Sequence, residues 1–106
     1  MLRALRPSPT RADKSCKLIW SKMFAEMIGT CMIVIFGCGS VCSAVLTGSF
    51  SGLWQVASVW GFGVTFSIYC TGSVSGAHLN PAISLAFALL RPEDFPFKDL
   101  MPYMIS

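Results

Sequence analysis

Charged residues are nearly absent from the middle of this sequence of 106 residues. Lys, Arg, Asp and Glu make up 12% of the chain, whereas soluble domains carry about 25%. From Met23 to Leu90 there is no Lys or Arg, and Glu26 is the only carboxylate. Most of the 8 basic residues precede Met23, so the net charge of +3 does not indicate nucleic-acid binding. This distribution excludes an ordinary soluble domain and predicts an all-α membrane protein.

Side chains that carry chemistry are also scarce. The chain has 1 His and 5 Cys, and Cys38 and Cys42 have neither a Cys-x-x-Cys spacing nor a pair of histidines beside them. This pattern excludes a metal site and a disulfide framework, so the cysteines are interpreted as small apolar residues. No pair of acids and no nucleophile with a base stand out. We therefore expect no enzyme activity, no catalytic residue, no metal and no cofactor.

What the sequence does contain is long apolar segments. The first covers about residues 23–46 and the second about 53–72, and each matches the roughly 20 residues that a spanning helix needs. Residues 1–19 are basic and interrupted by Pro7 and Pro9, which predicts a flexible cytoplasmic tail; a transit peptide is the alternative that this composition leaves open. The positive-inside rule places this tail and the 91–99 connector on the same side of the membrane.

The segment SGAHLNPAISLAFALL, residues 75–90, is apolar but contains a strong helix start. Asn80 is a favoured N-cap and Pro81 suits the first helical position, so we predict a helix over 81–90 that is about 15 Å long. That is half a bilayer core, and we predict that residues 73–90 form a re-entrant loop and half helix. Irregular backbone at membrane depth needs protein or a wet cavity beside it, which indicates a pore. A third span is expected to begin at about 97–106.

Three segments of the sequence resemble a known family. SGAHLNPAISLA is similar to the first Asn-Pro-Ala box of the aquaporin, or major intrinsic protein, family, and AEMIGTCMIVIFGCGSV resembles its first helix. VWGFGVTFSIYCTGSVSGAHLNPA is similar to the aquaglyceroporin branch, the glycerol facilitators. The resemblance covers about residues 20–106 and implies the first part of a six-span channel with two inverted repeats. The second box and the arginine that follows it are absent, so we expect a fragment, a truncated gene model or a short isoform.

The resemblance also implies a pore motif and a row of acceptors. The pore motif would be formed by Asn80, Pro81 and Ala82, where the Asn caps the half helix and its amide donates to a passing hydroxyl. A ladder of carbonyl acceptors for the permeating solute would come from four consecutive residues: Gly76, Ala77, His78 and Leu79. The imidazole of the lone histidine is interpreted as a packing group of the loop. An ordinary helix cap is the alternative for Asn80.

Two further positions carry roles implied by the resemblance. Trp60 would form one wall of the selectivity filter, with a core or lipid-facing aromatic as the alternative. Val64, Ser67 and Thr71 follow it at helical spacing and are weaker candidates for pore lining. Glu26 would support the re-entrant loop by accepting hydrogen bonds from its N–H groups, with a carboxylate reaching interfacial water as the alternative.

These inferences together predict a passive channel. The parent protein would conduct water and small uncharged solutes such as glycerol, as a homotetramer in a lipid bilayer, with no chemistry and no nucleic acid. The plasma membrane is the expected location of this multi-pass protein, and an organelle membrane is the alternative. The competing function is that of a truncated isoform that conducts nothing and acts as a helical-hairpin interaction partner.

Overall fold

The structure, a computed structural model, describes residues 11–50 and 52–106, with side chains described from residue 17 onward. Helix α1 runs Arg11–Cys42 and continues into a π-helical turn, Ser43–Thr47. Three further helices follow, which are α2 (Leu53–Ser75), α3 (Pro81–Leu90) and, after a 3-10 turn at Phe97–Asp99, α4 (Leu100–Ile105). Every regular element within the described ranges is a helix, which confirms the predicted all-α class.

The basic N-terminal segment is partly helical. Residues 1–10 of the predicted tail lie outside the described residues, whereas α1 already begins at Arg11. The physical reason is local: from Arg11 to Ile28 the sequence contains neither Pro nor Gly, the two residues that most disfavour a helix interior. The flexible tail predicted over 1–19 therefore does not describe residues 11–19, where the helix continues without a break into the apolar segment.

Among the described residues, one helical stretch is long and apolar enough to cross a membrane. It covers Lys17–Thr47, 31 residues that contain an 18-residue window with a mean hydropathy of 2.0. At 1.5 Å per residue it is roughly 46 Å long, more than a bilayer core requires. Helix α2 has 23 residues, which is sufficient length, but Gln55 and a series of Ser, Thr and Gly residues make it less apolar. The second predicted span therefore remains a prediction.

Glycines allow α1 and α2 to pack closely along each other, the main contact between helices in the molecule. A Cβ placed on Gly63 of α2 would lie 2.6 Å from Cβ of Phe36 on α1, so the backbone of α2 touches that side chain directly. Phe36 also meets Phe66 edge to face, with ring centroids 6.1 Å apart. Small residues at such positions are typical of helices that associate in membranes.

A small apolar cluster lies where α3 and α4 meet. Its buried members come from α3, from the connector and from α4, and Ile19 of α1 packs against them. They are Ala88, Phe95, Leu100 and Tyr103. This cluster holds the short helices α3 and α4 against the start of α1, and thereby fixes the loop that precedes α3.

Candidate functional site

The loop between α2 and α3 has an unusual backbone. Gly76, Ala77 and Leu79 all have positive φ angles, of 89°, 50° and 52°, a region that glycine enters freely and other residues rarely do. With three of the four residues 76–79 in the left-handed region, the loop does not continue the right-handed helix of α2. A backbone held in this way marks a segment whose conformation is imposed by its surroundings.

The loop N–H groups are bonded to side chains of the two long helices. Glu26 of α1 is 2% exposed, and its two carboxylate oxygens accept from the N–H of His78 at 3.0 Å and of Leu79 at 2.5 Å. Ser75 Oγ accepts from the N–H of Ala77 at 3.1 Å. The single carboxylate of the apolar region is therefore buried with both oxygens occupied, which is the arrangement that a charge inside a membrane requires.

The loop carbonyl groups, in contrast, have no partner in the described part of the chain. No hydrogen bond from residues 11–50 or 52–106 reaches the carbonyl oxygens of the segment from Gly76 to Leu79. A carbonyl oxygen without a protein partner is available to accept from water or from another donor. The segment thus combines N–H groups that are bonded to protein with carbonyl oxygens that accept nothing from the described residues.

A groove of about 280 Å³ lies beside this loop. Its walls come from all three longer helices as well as from the loop, and Trp60 and Asn80 belong to them. The complete lining is Ile33, Trp60, Val64, Ile68, Ala77, His78, Leu79, Asn80 and Ile83. Most of these residues are apolar, and the two with polar side chains, His78 and Asn80, come from the loop and the helix cap, which is the usual composition of a site for a small molecule.

Helix α3 begins at the groove with the local structure that its sequence predicts. Asn80 is extended (φ −161°, ψ 126°), and its Oδ1 accepts from the N–H of Ala82 at 2.8 Å, with Pro81 at the first helical position. Because Oδ1 is used in this cap, the Nδ2 amide is the free donor of the side chain. The N-terminus of α3 adds a partial positive charge of about half a unit at the same place.

The candidate lining residues of α2 separate into two groups. Trp60 is 37% exposed and, with Val64, lines the groove. Ser67 and Thr71, at 0% and 4% exposure, are instead buried in the α1–α2 contact, and their hydroxyls donate to the carbonyls of Gly63 and Ser67 in their own helix. They share the helix face of Trp60, as the spacing predicts, but they are covered by neighbouring residues, whereas Trp60 and Val64 border the groove.

Comparison with known proteins decides the family. The model of the major intrinsic protein family matches residues 13–106, which is nearly the whole chain. The chain belongs to the major intrinsic protein family. The resemblance inferred from the sequence is thereby confirmed, and the groove, the loop and the capped α3 are features of a member of this family.

Several curated members of the major intrinsic protein family are similar to this chain. The glycerol uptake facilitator of Haemophilus influenzae is 39% identical over 94 residues, which is 89% of this chain and 34% of that protein. The propanediol uptake facilitator of Citrobacter freundii is 36% identical over 86 residues, 81% of this chain and 31% of that protein. The chain spans about a third of the length of these curated relatives. No solved structure matches it.

Sequence reasoning missed the aromatic support behind the loop of this family member. The imidazole of His78 stacks on Phe87 with ring centroids 4.7 Å apart and planes 9° apart, and it also contacts Phe95 and Tyr103. Its Nδ1 lies 3.0 Å from Ser84 Oγ. The packing role expected for this histidine is the one it has. A signal was available in Ser84, the single polar residue of α3, which lies one turn after Asn80 and so faces back toward the loop.

Proposed function

We propose that this chain is the first part of a channel that conducts water and small uncharged solutes such as glycerol. The observation that carries the proposal is the loop at residues 76–79. The N–H groups of residues 77–79 are bonded to Ser75 and Glu26, the loop carbonyls accept no hydrogen bond from the described residues, and residues 77–79 line the groove. A row of free acceptors opposite an apolar wall suits a polyol, because the hydroxyls of a polyol need acceptors and its carbon chain needs an apolar surface. The two relatives described above are facilitators of glycerol and of propanediol uptake, which agrees with this class of solute.

In this proposal each group of the site acts on the solute without chemistry. The carbonyls from Gly76 to Leu79 accept from successive hydroxyls, and the amide of Asn80 donates at the point where α3 begins. The positive end of α3 repels cations and protons while neutral molecules pass. Trp60 forms the wall that limits the size of the solute, with Val64 as a neighbour. Ser67 and Thr71 are left out of the proposed lining because they are buried against α1.

The same proposal includes a membrane arrangement. Helices α1 and α2 span the bilayer. The loop after α2 enters the membrane from the side on which α2 ends, α3 begins near the midplane, and α3 returns to the same side. The whole channel would be a homotetramer of multi-pass subunits in the plasma membrane. Its completion requires further helices opposite the groove, which these 106 residues do not supply.

We test the function with a chimera. Residues 13–106 replace the matching segment of the glycerol uptake facilitator of Haemophilus influenzae, which supplies the opposite wall. In proteoliposomes we expect the chimera to accelerate glycerol and water permeation above empty vesicles, and the 106-residue chain alone to equal empty vesicles because it cannot enclose a pore. A chimera that folds as the intact facilitator does and conducts nothing would refute the channel and favour the non-conducting hairpin partner.

Labelling of single cysteines in a cysteine-free background tests the proposed topology. We expect cysteines at Ser8 (outside the described residues) and at Asp94 to react from the same, cytoplasmic side, and a cysteine at Ser49, just after the π-helical turn, to react from the other. The reason is that α3 returns to its side of entry and the basic residues remain inside. The measurement is labelling by a membrane-impermeant maleimide in sealed right-side-out and inverted vesicles. Opposite labelling at Ser8 and Asp94 would mean that α3 crosses the membrane.

A further inference from the structure

We infer that Gly37 of α1 is a positioning residue for the filter wall: the absence of a side chain there sets how far the Trp60 ring extends into the groove, and thereby which solutes pass. The inference deepens the proposed function and rests on it. Gly37 does not line the groove, so it acts on the solute only through Trp60.

The contact between these two residues is direct. A Cβ placed on Gly37 would overlap Cε2, Cζ2 and Cη2 of Trp60, the last at 2.6 Å. Real Cβ atoms do not approach other carbon atoms so closely, because van der Waals contact between carbons begins at about 3.5 Å. All three atoms belong to the six-membered part of the indole. The far end of the Trp60 ring therefore lies directly against the backbone of α1.

The geometry of α2 explains why the ring needs this position. Ser67 and Thr71 share the helix face of Trp60 and are buried against α1, so this face is turned toward α1 rather than toward the groove. The indole of Trp60 lies across α1 on this face, and a residue without a side chain leaves room for the ring there. Gly37 provides that position, and Trp60 then borders the groove together with Val64.

Neighbouring glycines show that the contact is specific. A Cβ on Gly39, two residues further along α1, would meet nothing within 4 Å in the described part of the chain. A Cβ on Gly63 would collide with Phe36 rather than with Trp60. Gly39→Ala is therefore a matched control for a methyl group on the same helix, and Gly63→Ala is a control for tighter α1–α2 packing in general.

With a methyl group at position 37, the Trp60 ring can move at low cost in one direction only. The backbone of α1 blocks it on one side, and α1 and α2 are held together by the Phe36 contacts to Gly63 and Phe66. The groove is the open side, so the ring moves toward the solute path and narrows it. Solutes wider than water are hindered first, and the ratio of glycerol to water permeability falls.

The first test follows the ring itself in the 106-residue chain. The sequence has 3 tryptophans, so the substitutions Trp20→Phe and Trp54→Phe leave Trp60 as the single one. Its emission maximum and its quenching by acrylamide are measured in lipid vesicles. We expect Gly37→Ala to shift both, whereas Gly39→Ala leaves both unchanged. Equal spectra for Gly37→Ala and Gly39→Ala would overturn the inference, whether or not any channel conducts.

The second test follows the solute in the chimera with the Haemophilus influenzae facilitator. We expect Gly37→Ala to lower the glycerol-to-water permeability ratio about tenfold, which corresponds to about 1.4 kcal/mol, within the range for forcing one methylene into a packed core. Gly39→Ala should keep the parent ratio. Adding Trp60→Phe to Gly37→Ala should restore the ratio toward that of Trp60→Phe alone, because the smaller ring leaves room for the methyl group.

The outcomes separate this inference from the function on which it rests. A parent chimera without conductance refutes the proposed function, while the emission of Trp60 still decides the contact. An equal fall in the ratio for Gly37→Ala and Gly63→Ala would mean that helix packing in general sets the ratio, and would overturn the role of Gly37. A fall for Gly37→Ala that Trp60→Phe does not rescue would overturn it as well. The inference is supported if Gly37→Ala lowers the glycerol-to-water permeability ratio more than Gly63→Ala does, and if adding Trp60→Phe restores that ratio.

Discussion

Glu26→Ala is expected to remove most of the folded protein from a chimera that carries residues 13–106. The carboxylate accepts from the N–H groups of His78 and Leu79, and both donors would lose their partner. An unsatisfied buried donor costs about 1–3 kcal/mol, so the loss is roughly 2–6 kcal/mol, a large part of the usual stability of a protein. The measurement is the thermal unfolding midpoint in detergent and the monodisperse fraction on size exclusion.

Two variants control this prediction. Glu26→Gln keeps one carbonyl oxygen that can accept one of the two bonds, and its midpoint should fall between those of the parent and Glu26→Ala. Glu93→Ala removes an exposed acid from the connector and should leave the midpoint unchanged. If Glu26→Ala unfolded like the parent and instead changed the preference among solutes, the carboxylate would belong to the permeation path and not to the support of the loop.

Trp60→Ala is expected to abolish size discrimination in the same chimera while protons stay excluded. Deletion of the indole opens the groove by more than the volume of a water molecule, so the permeability ratio of glycerol to a bulkier polyol should fall roughly tenfold or more, the discrimination that an apolar wall gives for a methylene-sized difference. The proton barrier should persist, because it arises from the positive end of α3 and from Asn80. Stopped-flow light scattering with both polyols and a pH-sensitive dye measure the two effects.

The control for this variant is another exposed tryptophan. Trp54 at the start of α2 is 70% exposed and does not border the groove, so Trp54→Ala should leave the polyol ratio unchanged. Trp60→Phe checks that the effect follows the size of the ring and not a loss of folding, and it should give an intermediate ratio. A ratio that stays constant through Trp60→Phe and Trp60→Ala would place the indole in helix packing alone.

Local signals allowed the sequence to predict α3 but not its surroundings. Asn80 and Pro81 specify the start of a helix through groups within two residues of each other, and the structure has this start. The bonds from His78 and Leu79 to Glu26 join residues more than 50 positions apart, and no periodicity encodes such a pairing. Only the family resemblance suggested it, because the arrangement depends on the packing of α1 against the loop.

The lining of the groove was predictable only in part for a related reason. Helical spacing correctly places Trp60, Ser67 and Thr71 on one face of α2, but spacing does not say what covers that face. Which side chains of that face reach the groove depends on their length and on Gly37 of α1, and these are properties of the tertiary packing. The aromatic support of His78 was missed similarly, because Phe95 and Tyr103 lie in the connector and in α4, beyond the segment that resembles a motif.

The hydroxyl of Tyr103 donates to the carbonyl of Ser75 at 2.6 Å, across 28 residues of chain, and this contact has a consequence for biosynthesis. A ribosome adding roughly 5–20 residues per second needs about 1–6 s for that stretch. Until Tyr103 is added the loop lacks this contact, and its N–H groups have Glu26 of α1 and Ser75 of α2 as partners. The loop can therefore complete its contacts only after α4 has been synthesised, some seconds after its own residues.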